Sequence, residues 1–331
     1  MVIFPKSITE QIWSNHLRFY SRTLPGYYEK YQHLLSKDAV HCPHENIYIC
    51  PLCASNYFAV NDKKNIYGNS EFSLDHLPPE SVGGKFKILT CKKCNNDSGL
   101  YEAELLRLLD FASVPDRRNG SILPKMWIVN TQTGQKFPGL VRFANGTTNI
   151  TFNQNAKEYN KELKIFLDDL HDGKLPRLQI LVASPDLSKI EKALLKSAYL
   201  ICFIWWGYEF VFSENGERIR KVLRSELSYP TTVPTSWHET SKGVLPKGVG
   251  IVSRNGIKQF FYVGLEISTS TESCMAAVVI PNPTENGWDD LTKLGTAIKA
   301  KQLTEFECLT IPRTRQHQGY TVAWNTNWNS Q

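Results

Sequence analysis

The chain has 331 residues, 41 % of them hydrophobic and 21 % charged, a globular balance that excludes wholesale disorder and leaves room for two domains. Its net charge of +6 is compatible with a polyanionic partner, but many soluble proteins are this basic, so charge alone assigns none. The opening MVIFPKSITEQIW carries Pro5, Lys6 and Glu10 where an export signal has its apolar core. The expectation is a cytoplasmic chain with reduced thiols, so its eight cysteines are not read as a disulfide framework.

Residues 1–41 read as a helical segment. Ile8, Ile12, Trp13 and Leu17 recur at helical spacing, and Leu24-Pro25-Gly26 ends the stripe; a second short helix is predicted over Tyr27–Leu35. From Cys42 to Ser98 the texture is rich in Cys, Asn, Asp, Pro and Gly, and no long helix is predicted there. Leu100–Phe111, LYEAELLRLLDF, reads as an amphipathic helix closing a compact module over 42–112. Residues 113–331 read as a larger mixed α+β domain. Its predicted strands are KMWIVN, LVRFAN, TNITFN, RLQILVAS, KQFFYVGLEI, CMAAVVIP and EFECLTIP, and its predicted helices span 156–170, 187–206 and 217–227. The polar, proline-rich stretch near 229–250 is a candidate subdomain boundary. The most apolar run, Ala193–Phe212, contains Lys196 and Glu209, so it is read as a buried core helix rather than a membrane span.

Two Cys-x-x-Cys pairs, Cys50-Pro-Leu-Cys53 and Cys91-Lys-Lys-Cys94, stand out in the module. Each pair puts two thiolates on one tight turn, and four sulfurs close a tetrahedral zinc shell, so the expected ion is structural. Binding such an ion contributes on the order of 10 kcal/mol to folding a small loop-rich segment. Cys42 and His44 are nearby substitute ligands, while Cys202, Cys274 and Cys308 sit in apolar runs and read as core.

Between the pairs lies SLDHLPPESVGGKFKILTCKKCNNDSG. It predicts a strand ending at Asp75-His76, a turn with two prolines and two glycines, a return strand, and a helix starting around Cys94-Asn95. Taken alone, an Asp-His pair on a strand is most simply hydrogen-bonded structure, and an Asn after a cysteine knuckle is most simply a cap. Together, the motif resembles the His-Asn-His (HNH) endonucleases of the ββα-metal fold, in the subgroup braced by a four-Cys zinc. The resemblance spans about residues 47–112.

It implies an α+β chain in which a small zinc-braced ββα-metal module precedes a larger α+β domain. His76 matches the general base that takes a proton from the attacking water; an imidazole, with a reference pKa of about 6.5, suits that task. Asp75 and Asn95 match the ligands of a catalytic Mg²⁺ or Mn²⁺, an ion that stabilises charge on the scissile phosphate and the leaving 3′ oxygen. Cleavage in the family leaves a 5′-phosphate. Where many members have a middle Asn, this chain has Lys85-Phe86-Lys87; Asn96 and Asp97 are alternative ligands in a shifted register.

Lys85, Lys87, Lys92 and Lys93 surround the motif and are candidate phosphate contacts, with Lys63 and Lys64 extending the track. Arg218, Arg220, Lys221 and Arg224 make one face of a short helix basic, most simply a solvated face. No Walker loop, dinucleotide fingerprint or second metal cluster is present after 113. An HNH head on a larger domain resembles restriction and antiviral-defence nucleases. That implies a DNA substrate, no membrane, and a C-terminal region for target recognition or control. The alternatives are a non-catalytic zinc module that binds nucleic acid or a partner, and an effector switched on by a partner protein or a second copy.

Overall fold

The structure, a computed structural model, describes residues 8–24, 32–35, 42, 46–61, 63, 65–112, 122–144, 147–152, 160–172, 178–182, 185–230, 238–239, 248–254, 257–269, 273–281, 287–299 and 307–310. In chain order, helix α1 (Glu10–Tyr20) leads into a three-stranded antiparallel sheet of β1 (Ile47–Ile49), β2 (Tyr57–Val60) and β3 (Ile66–Gly68). An antiparallel hairpin follows, β4 (Phe72–Leu77) and β5 (Phe86–Cys91), and runs directly into α2 (Lys92–Ala112). Next come β6 (Ile122–Asn130), β7 (Lys136–Ala144), β8 (Thr147–Phe152), α3 (Asn160–His171) and β9 (Leu178–Val182). The chain continues through α4 (Leu187–Val211), α5 (Glu214–Leu223), β10 (His238–Glu239), β11 (Gly248–Arg254), β12 (Ile257–Ser268), β13 (Ser273–Pro281), α6 (Gly287–Lys299) and β14 (Glu307–Thr310). The mixed α+β class is as expected.

Two compact units result: one of 1–102, 188–269 and 273–331, the other of 103–187 and 270–272. This division departs from the boundary expected at 112/113. It falls inside α2, and α4 belongs to the same unit as the cysteine pairs. In the smaller unit the sheet order is β8-β7-β6-β9, and Phe137, Leu163 and Phe166 form its core.

In the larger unit an aromatic core stands behind the cysteine module. Tyr48 stacks on Phe58 at 5.2 Å between ring centroids, Phe58 meets Phe72 edge-on at 5.1 Å, and Tyr20 of α1 stacks on Phe203 of α4 at 4.4 Å. Burying each such ring contributes about 1.5–3 kcal/mol. The five-stranded sheet β10-β13-β12-β11-β14 belongs to the same unit. Strand alternation lets its central β12 serve both faces. Phe261 packs on Trp206 of α4 at 4.4 Å, while Phe260 and Tyr262 cluster with Leu291 and Leu294 of α6.

Several expectations shift. The helix expected to start around Cys94-Asn95 and the one expected over Leu100–Phe111 are a single helix that begins at Lys92, so Cys94 and Asn95 lie in its first turn. The helix predicted over 217–227 is α5, Glu214–Leu223. Its basic face is not a uniform positive surface. Arg220 is buried and donates to the Tyr199 hydroxyl (3.1 Å), and Arg218, Lys221 and Arg224 pair with Glu214, Glu217 and Glu226. Within the second predicted N-terminal helix, Gln32–Leu34 is a single 3-10 turn, and 27–31 lie outside the described residues, as do His44, Lys64 and the side chain of Cys308. No helix of the described residues is long and apolar enough to cross a membrane.

Candidate metal centre and the neighbouring carboxylate site

The first cysteine pair sits on the turn that leaves β1. Cys50 N donates to Asn56 O (2.7 Å) and Ala54 N to Cys50 O (2.9 Å), with Ala54 in the left-handed region at φ 53°. The second pair straddles a junction: Cys91 ends β5 and Cys94 lies in the first turn of α2. These two turns bring the four Sγ atoms within 4.8 Å of one another. Sulfurs about 2.3 Å from a tetrahedral ion stand roughly 3.8 Å apart, so a small adjustment closes the shell.

The surroundings suit a metal thiolate. Cys91 N donates to Cys50 Sγ (3.2 Å), Asn56 N to Cys53 Sγ (3.4 Å) and Asn56 Nδ2 to Cys91 Sγ (3.1 Å). Such N–H donors stabilise sulfur charge and orient the ligands. Without metal the thiols perturb one another: burial pushes Cys50 well above the usual thiol range, and the hydrogen bond with Cys50 leads the pull of Cys91 down to about 7. The donor set therefore fits a metal ion such as zinc. Helix α4 braces the first knuckle. The Tyr199 hydroxyl donates to Pro51 O (2.8 Å), and the Tyr208 hydroxyl both accepts from Ile49 N and donates to Ile49 O (2.7 Å each).

The hairpin carries the remaining candidates. Its register pairs Asp75 with Ile88, His76 with Lys87 and Leu77 with Phe86. Along β5, Phe86 and Lys87 face solvent while Ile88 to Cys91 are buried; across from them Leu77, and Val82 in the turn, are buried. The turn needs its glycines: Gly83 has φ +84°, and a Cβ on Gly84 would lie 1.5 Å from Pro78 O.

His76, half-buried, sits where the sequence places it, near the tip of β4. Its Nε2 is shielded from solvent, has no hydrogen-bond partner among the described residues, and lies 3.8 Å from Glu80 Oε2. Asn95 lies in the first turn of α2 and ties it to β4: its Nδ2 donates to Ser73 Oγ (2.9 Å) and Leu74 O (3.3 Å).

Asp75 departs from the expectation of an open metal ligand. It is buried, and its Oδ2 is 2.6 Å from the ammonium of Lys196 on α4 and accepts from Thr90 Oγ1 (3.3 Å). The same ammonium pairs with Glu102 and donates to Ser98 Oγ (2.8 Å). Burial pushes the Asp75 carboxyl up to about 6 against the pull of Lys196, with the nearby Glu102 charge adding to the rise. Asn95, Ser98 and Glu102 follow i, i+3, i+7 spacing and share one face of α2.

Lys196 and Glu102 are thus site residues that the sequence reading did not assign. The one signal for Lys196 is a lone cation inside an apolar run. Of the candidate phosphate contacts, Lys85 and Lys87 are exposed and form no ion pair among the described residues. Lys92 and Lys93 pair on the surface with Glu71 (2.8 Å) and Asp97 (3.0 Å). Cys202 and Cys274 are buried, as expected of core thiols, and Cys42, the substitute ligand, is also buried and stands outside the four-sulfur cluster. No family model, curated protein or solved structure matches the chain.

Proposed function

We propose that the chain is an HNH-type endonuclease that hydrolyses phosphodiester bonds of DNA. The single observation that supports this best is the hairpin-then-helix frame closed by four thiols, with His76 near the tip of β4 and Asn95 in the first turn of α2. Zinc on Cys50, Cys53, Cys91 and Cys94 ties the junction of β5 and α2 to the turn that leaves β1. His76 takes the proton of the attacking water once its shielded Nε2, 3.8 Å from Glu80 Oε2 and without a hydrogen-bond partner among the described residues, is uncovered by substrate binding. Lys85 and Lys87 neutralise phosphates along the hairpin tip, and Phe86 between them, 41 % exposed, offers an apolar face to a base or sugar. Residues beyond the module supply target recognition or control, in a setting of restriction or antiviral defence; this part rests on architectural analogy.

The resemblance also implies Mg²⁺ or Mn²⁺ on Asp75 and Asn95. As arranged, the pair does not fit such an ion, because the Asp75 carboxylate is already engaged with an ammonium and the Asn95 amide with β4. This same contact favours a second reading, a non-catalytic zinc module that binds nucleic acid or a partner.

The test is incubation of plasmid and single-stranded DNA with the wild type and with Lys196→Ala, each in Mg²⁺ or Mn²⁺, with and without His76→Ala. Cutting by either protein that disappears with His76→Ala is expected. A salt-sensitive DNA mobility shift without cutting by either protein would establish the second reading instead.

A further inference from the structure

Lys196 is fully buried, in the middle of a stretch of α4 where every residue from Ala193 to Leu200 is buried. A fully buried lysine is rare, and a buried ion pair is weak evidence for stability, since hydrophobic groups of similar volume often serve as well. Its presence calls for a more specific role. The ammonium meets three oxygen groups: the carboxylates of Asp75 and Glu102 and the hydroxyl of Ser98. Those are the ligand types that a hard divalent cation selects. The carboxylates carry two negative charges against one positive, so the set is under-neutralised and attractive to a further cation.

We propose that Lys196 is a cation built into the chain at the Asp75–Glu102 carboxylate pair, where it excludes a divalent ion and keeps these carboxylates closed to a second metal. Both cations need the same oxygens, so occupancy by one reduces the apparent affinity for the other. Lys196 is covalently held, and α4 is fixed to the first cysteine knuckle one turn further on, through Tyr199 and Pro51. Its effective concentration at the carboxylates is therefore high, and an ion from solution competes poorly. Opening the pair requires α4 to draw Lys196 away, which makes this helix the control element of the module. Glu102 becomes a ligand for any ion that replaces Lys196. The significance of closure for DNA cleavage rests on the nuclease reading, whereas the exclusion of the ion does not.

The test is Mn²⁺ binding by the zinc-loaded full chain, followed by electron paramagnetic resonance of free Mn²⁺ and read beside DNA cleavage. The wild type and Asp75→Asn are expected to give the same isotherm. Lys196→Ala is expected to gain a site, about tenfold or more tighter than any in the wild type, which disappears in Lys196→Ala/Asp75→Asn. Zinc content and circular dichroism report whether Lys196→Ala folds. Lys196→Gln, neutral and able to hydrogen-bond, replaces it if it does not, and the wild-type comparison with Asp75→Asn needs no change at 196. Wild-type Mn²⁺ binding that Asp75→Asn weakens about tenfold overturns the proposal, as does a folded Lys196→Ala protein with no Asp75-dependent site. Lys196→Ala that binds Mn²⁺ through Asp75 but cuts no DNA sustains the built-in cation and contradicts the nuclease reading. A wild type that binds Mn²⁺ through Asp75 and cuts does the reverse.

Discussion

The four thiols at the base of the hairpin and the two carboxylates beside α2 hang on the same short frame, yet their charge is answered in different ways. Cys50, Cys53, Cys91 and Cys94 converge on one point, and the ion that would hold them comes from outside the chain. Asp75 and Glu102 converge on Lys196, which the chain itself delivers from α4. The first arrangement would tie folding to a bound metal ion. The second makes metal entry depend on the fold. Both meet at α4, where Lys196 and Tyr199 stand one turn apart and contact the carboxylates and the first knuckle respectively.

Removing the external cation is the largest way to test this contrast. Chelation, or Cys91→Ser, is expected to unfold the module, with a loss on the order of 10 kcal/mol from metal binding. One zinc per chain by elemental analysis and a cooperative loss of circular dichroism on chelation check it. Removing the internal cation comes next. Lys196→Ala leaves two acids without their counter-charge and is expected to cost about 3–5 kcal/mol in denaturant unfolding. The triple change Lys196→Met, Asp75→Asn and Glu102→Gln is expected to recover most of that loss. A Lys196→Ala protein as stable as the wild type would remove the contrast.

A pH series sharpens the same point. The Asp75 carboxyl rises from 3.8 to about 6 on folding. Between those values the native protein holds a proton that the unfolded chain has released, so wild-type stability falls relative to Asp75→Asn as pH rises through that window. The change amounts to about 3 kcal/mol at most and levels off above it. Urea unfolding of both proteins from pH 4 to 7.5 measures it, and parallel profiles would contradict the burial of this carboxyl. The smallest expected effect on stability is that of His76→Ala, about 1 kcal/mol, because its Nε2 makes no hydrogen bond that would be lost and only the packing of a half-buried ring goes.

The same contrast governs what could be read from the sequence. The thiol frame is built from two local turns of identical spacing, and the hairpin is announced by Asp75-His76, Pro78-Pro79 and Gly83-Gly84 within a dozen residues. Both features were legible because their determinants are close in the chain. The sheet of β1, β2 and β3 was not, since strands of three or four residues carry too few positions to show a period. Lys196 was noticed only as an obstacle to a membrane span. Its partners Asp75 and Glu102 lie far earlier in the chain, and no spacing rule connects them. Arg220 was misjudged for a related reason: its helix looked like a basic surface until packing turned that residue toward Tyr199 and Val211. The compact units divide inside α2 and not at 112/113, and α4, from the other half of the sequence, shares a unit with the cysteine pairs, a grouping no local pattern announces.

The most direct test of the proposed activity uses the open form. Lys196→Ala and Lys196→Ala/His76→Ala are given end-labelled single- and double-stranded DNA oligonucleotides in Mn²⁺, and the products are resolved and their ends identified. The account expects cutting by the first protein that leaves 5′-phosphate ends, and at least about 100-fold slower cutting by the second. Equal cutting by both, or none by a folded Lys196→Ala protein that binds Mn²⁺, would contradict it.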